Sequence, residues 1–143
     1  MEFLTTNTKK RIVINAATFA EASMLKKEAM KCLSKAKIIG DLDFSQFSNM
    51  EIGKLFNAIS ELIISADSSI EFENAIFDCL GRCTCDNITI SRQLFDDIPE
   101  LRADYYEIVS KCCEENLRPF FKSLITEFNN RLQLNNIDIP EQK

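Results

Sequence analysis

The chain has 143 residues, 45% of them hydrophobic and 27% charged, with a net charge of −5 and neither His nor Trp. That length suits one domain able to bury a core without staples, and the acidic balance argues against nucleic acid as a partner, since a polyanion calls for a basic surface. No apolar run reaches the ~18 residues of a membrane span, and three Gly and three Pro favour helices over a turn-rich β-sandwich.

Residues 1–14, "MEFLTTNTKKRIVI", read as a short β-hairpin about the polar turn "NTKK". A lone hairpin is marginal in water, so it must pack on something. The first helix is expected over 18–37. Thr18 as N-cap and Glu21 three residues later form a capping box. Phe19, Ala22, Leu25, Ala29, Cys32, Leu33 and Ala36 then make an apolar stripe, opposite Lys26, Lys27, Lys31 and Lys35. Gly40 closes the segment, and "DLDFSQF" reads as a loop.

A second capping box, Ser48 with Glu51, opens a helix over 48–66, whose stripe runs from Ile52 through Leu55, Phe56, Ile59 and Leu62 to Ala66. Ser68 and Glu71 open a third helix over 69–81, with Phe72, Ala75, Ile76, Cys79, Leu80 and Cys83 on one face and Gly81 at its C-terminal end. "TCDNITIS" is non-helical: Asp86-Asn87 is a turn pair, and Ile88–Ile90 a brief extended run. "SRQLF" reads as one helical turn.

The fourth helix is expected over 98–116, with Pro99 in its first turn. Leu101, Tyr105, Ile108, Val109 and Cys112 face inward, and Asp104, Glu107 and Glu114 lie on an acidic outer face. Pro119 is expected to break or kink the run. A last helix over 119–133 and a polar, mobile tail over 135–143 complete the chain. The fold expected is mainly α: one domain over 1–134, a bundle of about five helices with a short N-terminal β-hairpin.

Charge is unevenly spread. Residues 1–37 carry eight Lys/Arg against three Asp/Glu, a net +5; the remainder carries nine against nineteen, a net −10. The positive segment packs on its own domain or drives head-to-tail self-association. With no apolar leader at its start, the chain is expected in a reducing cytosol, where disulfides are rare.

No reaction centre is visible. The cysteines follow C-x₃-C-x-C with a distant Cys112–Cys113 pair, without the C-x₂-C or His spacing of a zinc site. Cys32, Cys79, Cys83 and Cys112 fall on apolar stripes, where free Cys acts as a small hydrophobe. A Cys nucleophile lacks its usual His base. Acidic pairs at Glu71/Glu73, Asp96/Asp97 and Glu114/Glu115 suit solvated faces or helix starts. Three isolated glycines build no phosphate loop, and the lysine face of the first helix suits solvent or a protein contact. Catalytic, cofactor and metal residues are therefore expected to be none. Adjacent bulky pairs stand out instead: Ile63-Ile64, Ile76-Phe77, Tyr105-Tyr106 and Phe120-Phe121. Ile64, Phe77, Tyr106 and Phe120 lie beside the main stripes. Either their helices are covered on two sides, or these four are surplus apolar surface for a partner.

Two stretches, "EFLTTNTKKRIVINAATFAEASMLKKEAMK" and "RCTCDNITISRQLFDDIPELRADYYEIVSKCCEENLRPFFKSL", with the phrases "RADYYEIV" and "LRPFFKSL" within the latter, resemble small tail assembly chaperones of long-tailed bacteriophages of Gram-positive hosts. The resemblance implies a mostly helical, non-enzymatic factor without cofactor. It would coat the long tape measure protein in the host cytoplasm, keep it soluble until tail tube subunits replace it, and be absent from the mature virion. It carries over no site residues. A tail completion protein and a cytosolic protein-binding regulator are the other readings the sequence leaves open. A gene for a very long, helix-rich protein just downstream would favour the chaperone.

Overall fold

The computed structural model describes residues 1–35, 49–64 and 69–141. Among them the chain is mainly α, with five helices and a short N-terminal antiparallel hairpin. In chain order the elements are β1 (Glu2–Leu4), β2 (Arg11–Val13), α1 (Phe19–Lys35), α2 (Asn49–Ile64), α3 (Ile70–Leu80), β3 (Thr84–Cys85), β4 (Ile88–Thr89) and α4 (Arg92–Asp97). A 3₁₀ turn over Pro99–Asp104 then feeds directly into α5 (Tyr105–Glu141).

The N-terminal hairpin solves its stability problem by recruiting a second one. β2 pairs antiparallel with β3, Ile12 opposite Cys85 and Val13 opposite Thr84, and β3 pairs with β4. The result is one four-stranded antiparallel sheet in the order β1-β2-β3-β4. Asp86 (φ 48°) and Asn87 (φ 70°) form the tight β3–β4 turn, because both residues tolerate the left-handed region that a two-residue hairpin loop requires. The Asp86 carboxylate accepts a hydrogen bond from the Arg11 N–H at 3.0 Å and lies 3.6 Å from the Lys10 ammonium, tying the two hairpins together beside the ladder.

The turn of the first hairpin, Thr5–Lys10, docks on the start of α5. Asp104 is 1% exposed. Its carboxylate accepts from the Asn7 N–H (2.8 Å), the Thr8 N–H (2.8 Å), the Thr8 hydroxyl (2.6 Å) and the Asn7 side-chain amide (3.0 Å). One turn on, Glu107 accepts from the Thr6 N–H at 2.8 Å and the Thr6 hydroxyl at 2.7 Å. The sequence period puts both acids on a solvated outer face. The hairpin turn covers that face and supplies the donors that a buried carboxylate requires.

The helical layer follows from the stripes. α5 packs against α1, α2 and α3, and α1 lies along α3. Leu25, Leu33, Leu55, Ile59, Leu62, Phe72, Leu80, Ile108 and Phe121 are all at most 2% exposed in a single core. The Thr18/Glu21 capping box forms: Thr18 Oγ1 accepts from the Glu21 N–H at 3.2 Å, and Glu21 accepts from the Thr18 N–H at 3.0 Å. Asn116 is 5% exposed. It accepts from the Ala17 N–H at 2.9 Å and donates to the Cys112 carbonyl at 2.9 Å, clamping the entry of α1 onto α5.

Several local expectations change. α3 is capped by Ser69, not Ser68: Ser69 Oγ accepts from the Phe72 N–H at 3.1 Å. α3 ends at Leu80 with Gly81 right-handed (φ −62°), so Cys83 reaches the core from the turn beyond the helix. α5 runs unbroken through Pro119 for 37 residues and carries the expected tail as helix to Glu141. Glu115, whose carbonyl would have accepted the missing Pro119 N–H, and Pro119 are both exposed residues. Residues 98–104 are the 3₁₀ turn and its cap rather than the first turns of an α-helix. The Ser48 cap, Gly40 and the "DLDFSQF" loop lie outside the described residues.

Replacing Asp104 by Ala would remove the acceptor of two part-buried backbone N–H groups and of the Thr8 hydroxyl, at about 1 kcal/mol each. Asp104→Ala is expected to lower stability by roughly 3 kcal/mol in urea titrations. The hydrogen bonds from Thr8 and Asn7 outweigh burial and hold the Asp104 carboxyl at about 2, below its ordinary 3.8. A carboxyl depressed in the folded state stabilises fully above its unfolded value, and this is lost as pH falls from near 4 towards 2. The wild type should lose stability across that window, and Asp104→Ala should lose less of it.

Candidate partner-binding grooves

The paired apolar residues separate into three places. Phe77 and Tyr106 come together. Phe77 from α3, Phe95 from α4 and Tyr105 from α5 form a ring cluster, with centroids 6.2 Å apart for Phe77–Phe95, 6.2 Å for Phe77–Tyr105 and 5.5 Å for Phe95–Tyr105. Tyr106 extends the cluster outward, 5.3 Å from Tyr105 and 47% exposed. The rings wall an open groove of about 300 Å³, rimmed by Arg92, Arg102 and Glu73.

Two arginines fix the walls. The Arg92 guanidinium lies 4.4 Å over the Phe77 ring and donates to Asn74 at 2.7 Å, a cation–π contact that also holds the ring. Arg102 donates to the Phe95 carbonyl at 3.0 Å and to Asp96 at 3.0 Å, pinning α4 to the 3₁₀ turn. Burial pushes the Tyr105 phenol above its ordinary value, with the Glu73 carboxylate adding to it. Phe95 and the arginines were not singled out from sequence, and Tyr105 was expected on the inward stripe rather than in a groove wall. Their common signal is an aromatic or Arg in each of α4, the 3₁₀ turn and α5, which only the fold gathers against Phe77 of α3.

Phe120 lies elsewhere on α5, 14 residues beyond Tyr106, or about 21 Å at the helical rise. Its ring is 5.9 Å from that of Phe19, and the Lys26 ammonium sits 5.2 Å above it. Phe19 is 78% exposed, not on the core stripe as its period suggests. It occupies the first position of α1, where it reaches only the Phe120 edge of α5. An open cavity of about 410 Å³ lies between them, floored by Ala17, Ala22 and Asn116. Ile64 ends the described part of α2, is 60% exposed and lines neither groove.

The cysteines take no part in either groove. All six are free and buried. Burial pushes the Cys79 thiol up to about 12 and raises Cys113. Contact with Cys83, then burial, raises Cys112. Thiols held protonated at neutral pH are poor nucleophiles. Among the described residues, no three His, Cys, Asp or Glu side chains gather in a way that could hold a metal ion. The arrangement offers apolar and aromatic surface, its rim arginines paired with Glu73 at 3.7 Å and Asp96 at 3.0 Å.

Residues 18–129, well over half of the chain, match the family model described as phage tail assembly chaperone protein. No curated protein and no solved structure matches.

The burial of the thiols predicts their reactivity. A disulfide reagent added to the native chain should titrate fewer than one of the six thiols within minutes, and all of them in guanidinium. Rapid modification of the native chain would show that the thiol cluster opens.

Proposed function

The chain belongs to the phage tail assembly chaperone family, and on that premise we propose that it is a non-enzymatic chaperone that binds the tape measure protein and keeps it soluble during tail assembly. Family membership implies contact with tail proteins; the finer assignment to the tape measure protein rests on the kind of surface available. The observation that carries it is the aromatic groove: rigid rings from α3, α4 and α5, one of them half exposed, walling an open trough rather than an enclosed pocket.

A long, amphipathic, helix-rich protein presents apolar side chains at successive turns, and an open groove with Phe and Tyr anchors takes such a helix by helix-in-groove docking. The arginine rim favours a carboxylate one turn from the inserted side chain. Such a contact is modest in area, so each copy can be displaced as assembly proceeds. The division of charge, +5 over residues 1–37 and −10 over the rest, supports weak association between copies arrayed along one client. The host cytoplasm is the proposed location, and mature virions should lack the chain. Among the described residues no helix is long and apolar enough to cross a membrane.

Tyr106→Asp should reduce the yield of a co-expressed soluble tape-measure fragment several-fold while leaving the melting temperature within a few degrees, because an exposed site tolerates charge. Phe120→Asp and Ile64→Asp test the other two candidates in the same assay. Phe77→Asp should destabilise instead, since that ring contacts Phe95, Tyr105 and Arg92. Ile108→Asp should unfold the chain. If Tyr106→Asp, Phe120→Asp and Ile64→Asp all fold and solubilise the fragment fully, neither groove binds it.

Self-association is read separately by light scattering. Larger species should form at low salt and dissolve as the Debye length falls to about 10 Å at 0.1 M. A strict monomer at every salt concentration refutes this.

A further inference from the structure

The outward face of α1 carries a second surface with different chemistry. Phe19 is 78% and Met24 47% exposed, on a helix whose other side is packed, and the Phe120 ring touches only one edge of Phe19. Lys26, Lys27 and Lys31 flank them around an open trough of about 730 Å³, with half-buried Met30 at its far end. Ala20 and Ser23 lie between Phe19 and Met24, and such small side chains let another helix approach closely. Leaving a large apolar side chain exposed forgoes roughly 1.5–3 kcal/mol of burial, so the face is costly unless something covers it.

The charges identify the occupant. Lys31 reaches Glu28 at 3.5 Å. Among the described residues Lys26 and Lys27 have no acidic partner, and Lys26 rests over the Phe120 ring. Two unneutralised ammonium groups beside an apolar strip complement a helix that presents an apolar stripe flanked by carboxylates. α1 has 17 residues, about 25 Å of helix, which matches a partner segment of four to five turns. We propose that this face of α1 docks an acidic amphipathic helix of a second protein. The surface is separate from the aromatic groove, which draws its walls from α3, α4 and α5.

The probes are two synthetic helical peptides of roughly 20 residues with identical Leu stripes, one flanked by Glu and the other by Lys. Their binding to the full chain is followed by fluorescence anisotropy. The Glu peptide should bind and the Lys peptide should not. The double variant Lys26→Glu/Lys27→Glu should weaken the Glu peptide by about tenfold or more and should gain affinity for the Lys peptide. Phe19→Ser should weaken the Glu peptide comparably without lowering the melting temperature, because Phe19 is exposed.

Equal binding of both peptides, or affinity unchanged by the lysine reversal, overturns the proposal. Sedimentation supplies a further check: if the reversal dissolves a self-assembled species that the Glu peptide cannot displace, the face joins copies of this chain and the proposal fails. Vesicles of phosphatidylserine, bound in place of the Glu peptide and lost on the same reversal, would assign the face to a membrane surface and refute it equally.

Discussion

One buried carboxylate organises the N-terminal half of the molecule onto the C-terminal half. Asp104 receives four hydrogen bonds from Asn7 and Thr8, and an ionised acid at 1% exposure is tolerable only with that many donors. The consequences run in both directions. The hairpin β1–β2, too small to stand alone, is fixed at its turn by Asp104 and at its edge by β3. The 3₁₀ turn is fixed in return, so Tyr105 and Tyr106 leave it at a set angle to Phe77 and Phe95. The aromatic groove is thus shaped by a contact made on the other side of the same turn.

The division of labour within the fold is also a division of surface chemistry. Around α3, α4 and the start of α5, one half-exposed ring tops an aromatic cluster and the rim is mixed, with guanidinium groups already engaged by Asn74, Asp96 and backbone. Along α1, apolar side chains stand beside ammonium groups with fewer partners. Between them the core is built from aliphatic residues, phenylalanines and buried free thiols. Nothing among the described residues concentrates reactive groups, and the exposed apolar side chains are the features that the core does not explain. For a chaperone, the work is done by surface that stays unsatisfied until a client arrives.

What could be read from sequence was what local chemistry decides. The Thr18/Glu21 box, the Leu55, Ile59 and Leu62 stripe of α2 and the Asp86-Asn87 turn all form as their residues dictate, because each depends on neighbours within four positions. Pairing of β2 with β3 does not, since about seventy residues separate the two strands and two-residue strands carry little signal. Asp104 was misplaced because periodicity knows only the helix it belongs to, not the turn 96 residues earlier that covers it. Phe19 was misplaced for the opposite reason: its phase is right, but the core does not extend to the first turn of α1. Of the four partner candidates, phase alone put Phe77 and Tyr106 beside the stripes, and only the fold brought them to one groove. Pro119 stayed within α5 on its exposed side, a placement that composition cannot reveal.

The aromatic groove has a spectroscopic corollary. The chain has no Trp and only two Tyr, and both tyrosines, Tyr105 and Tyr106, line that groove. Every photon of tyrosine emission from this protein therefore originates at the surface argued to receive a client, with no indole to mask it. Ring–ring proximity and the nearby carboxylate of Glu73 make that emission sensitive to what enters. The unlabelled protein thus carries its own optical gauge of groove occupancy, readable during assembly against any partner that lacks tyrosine and tryptophan.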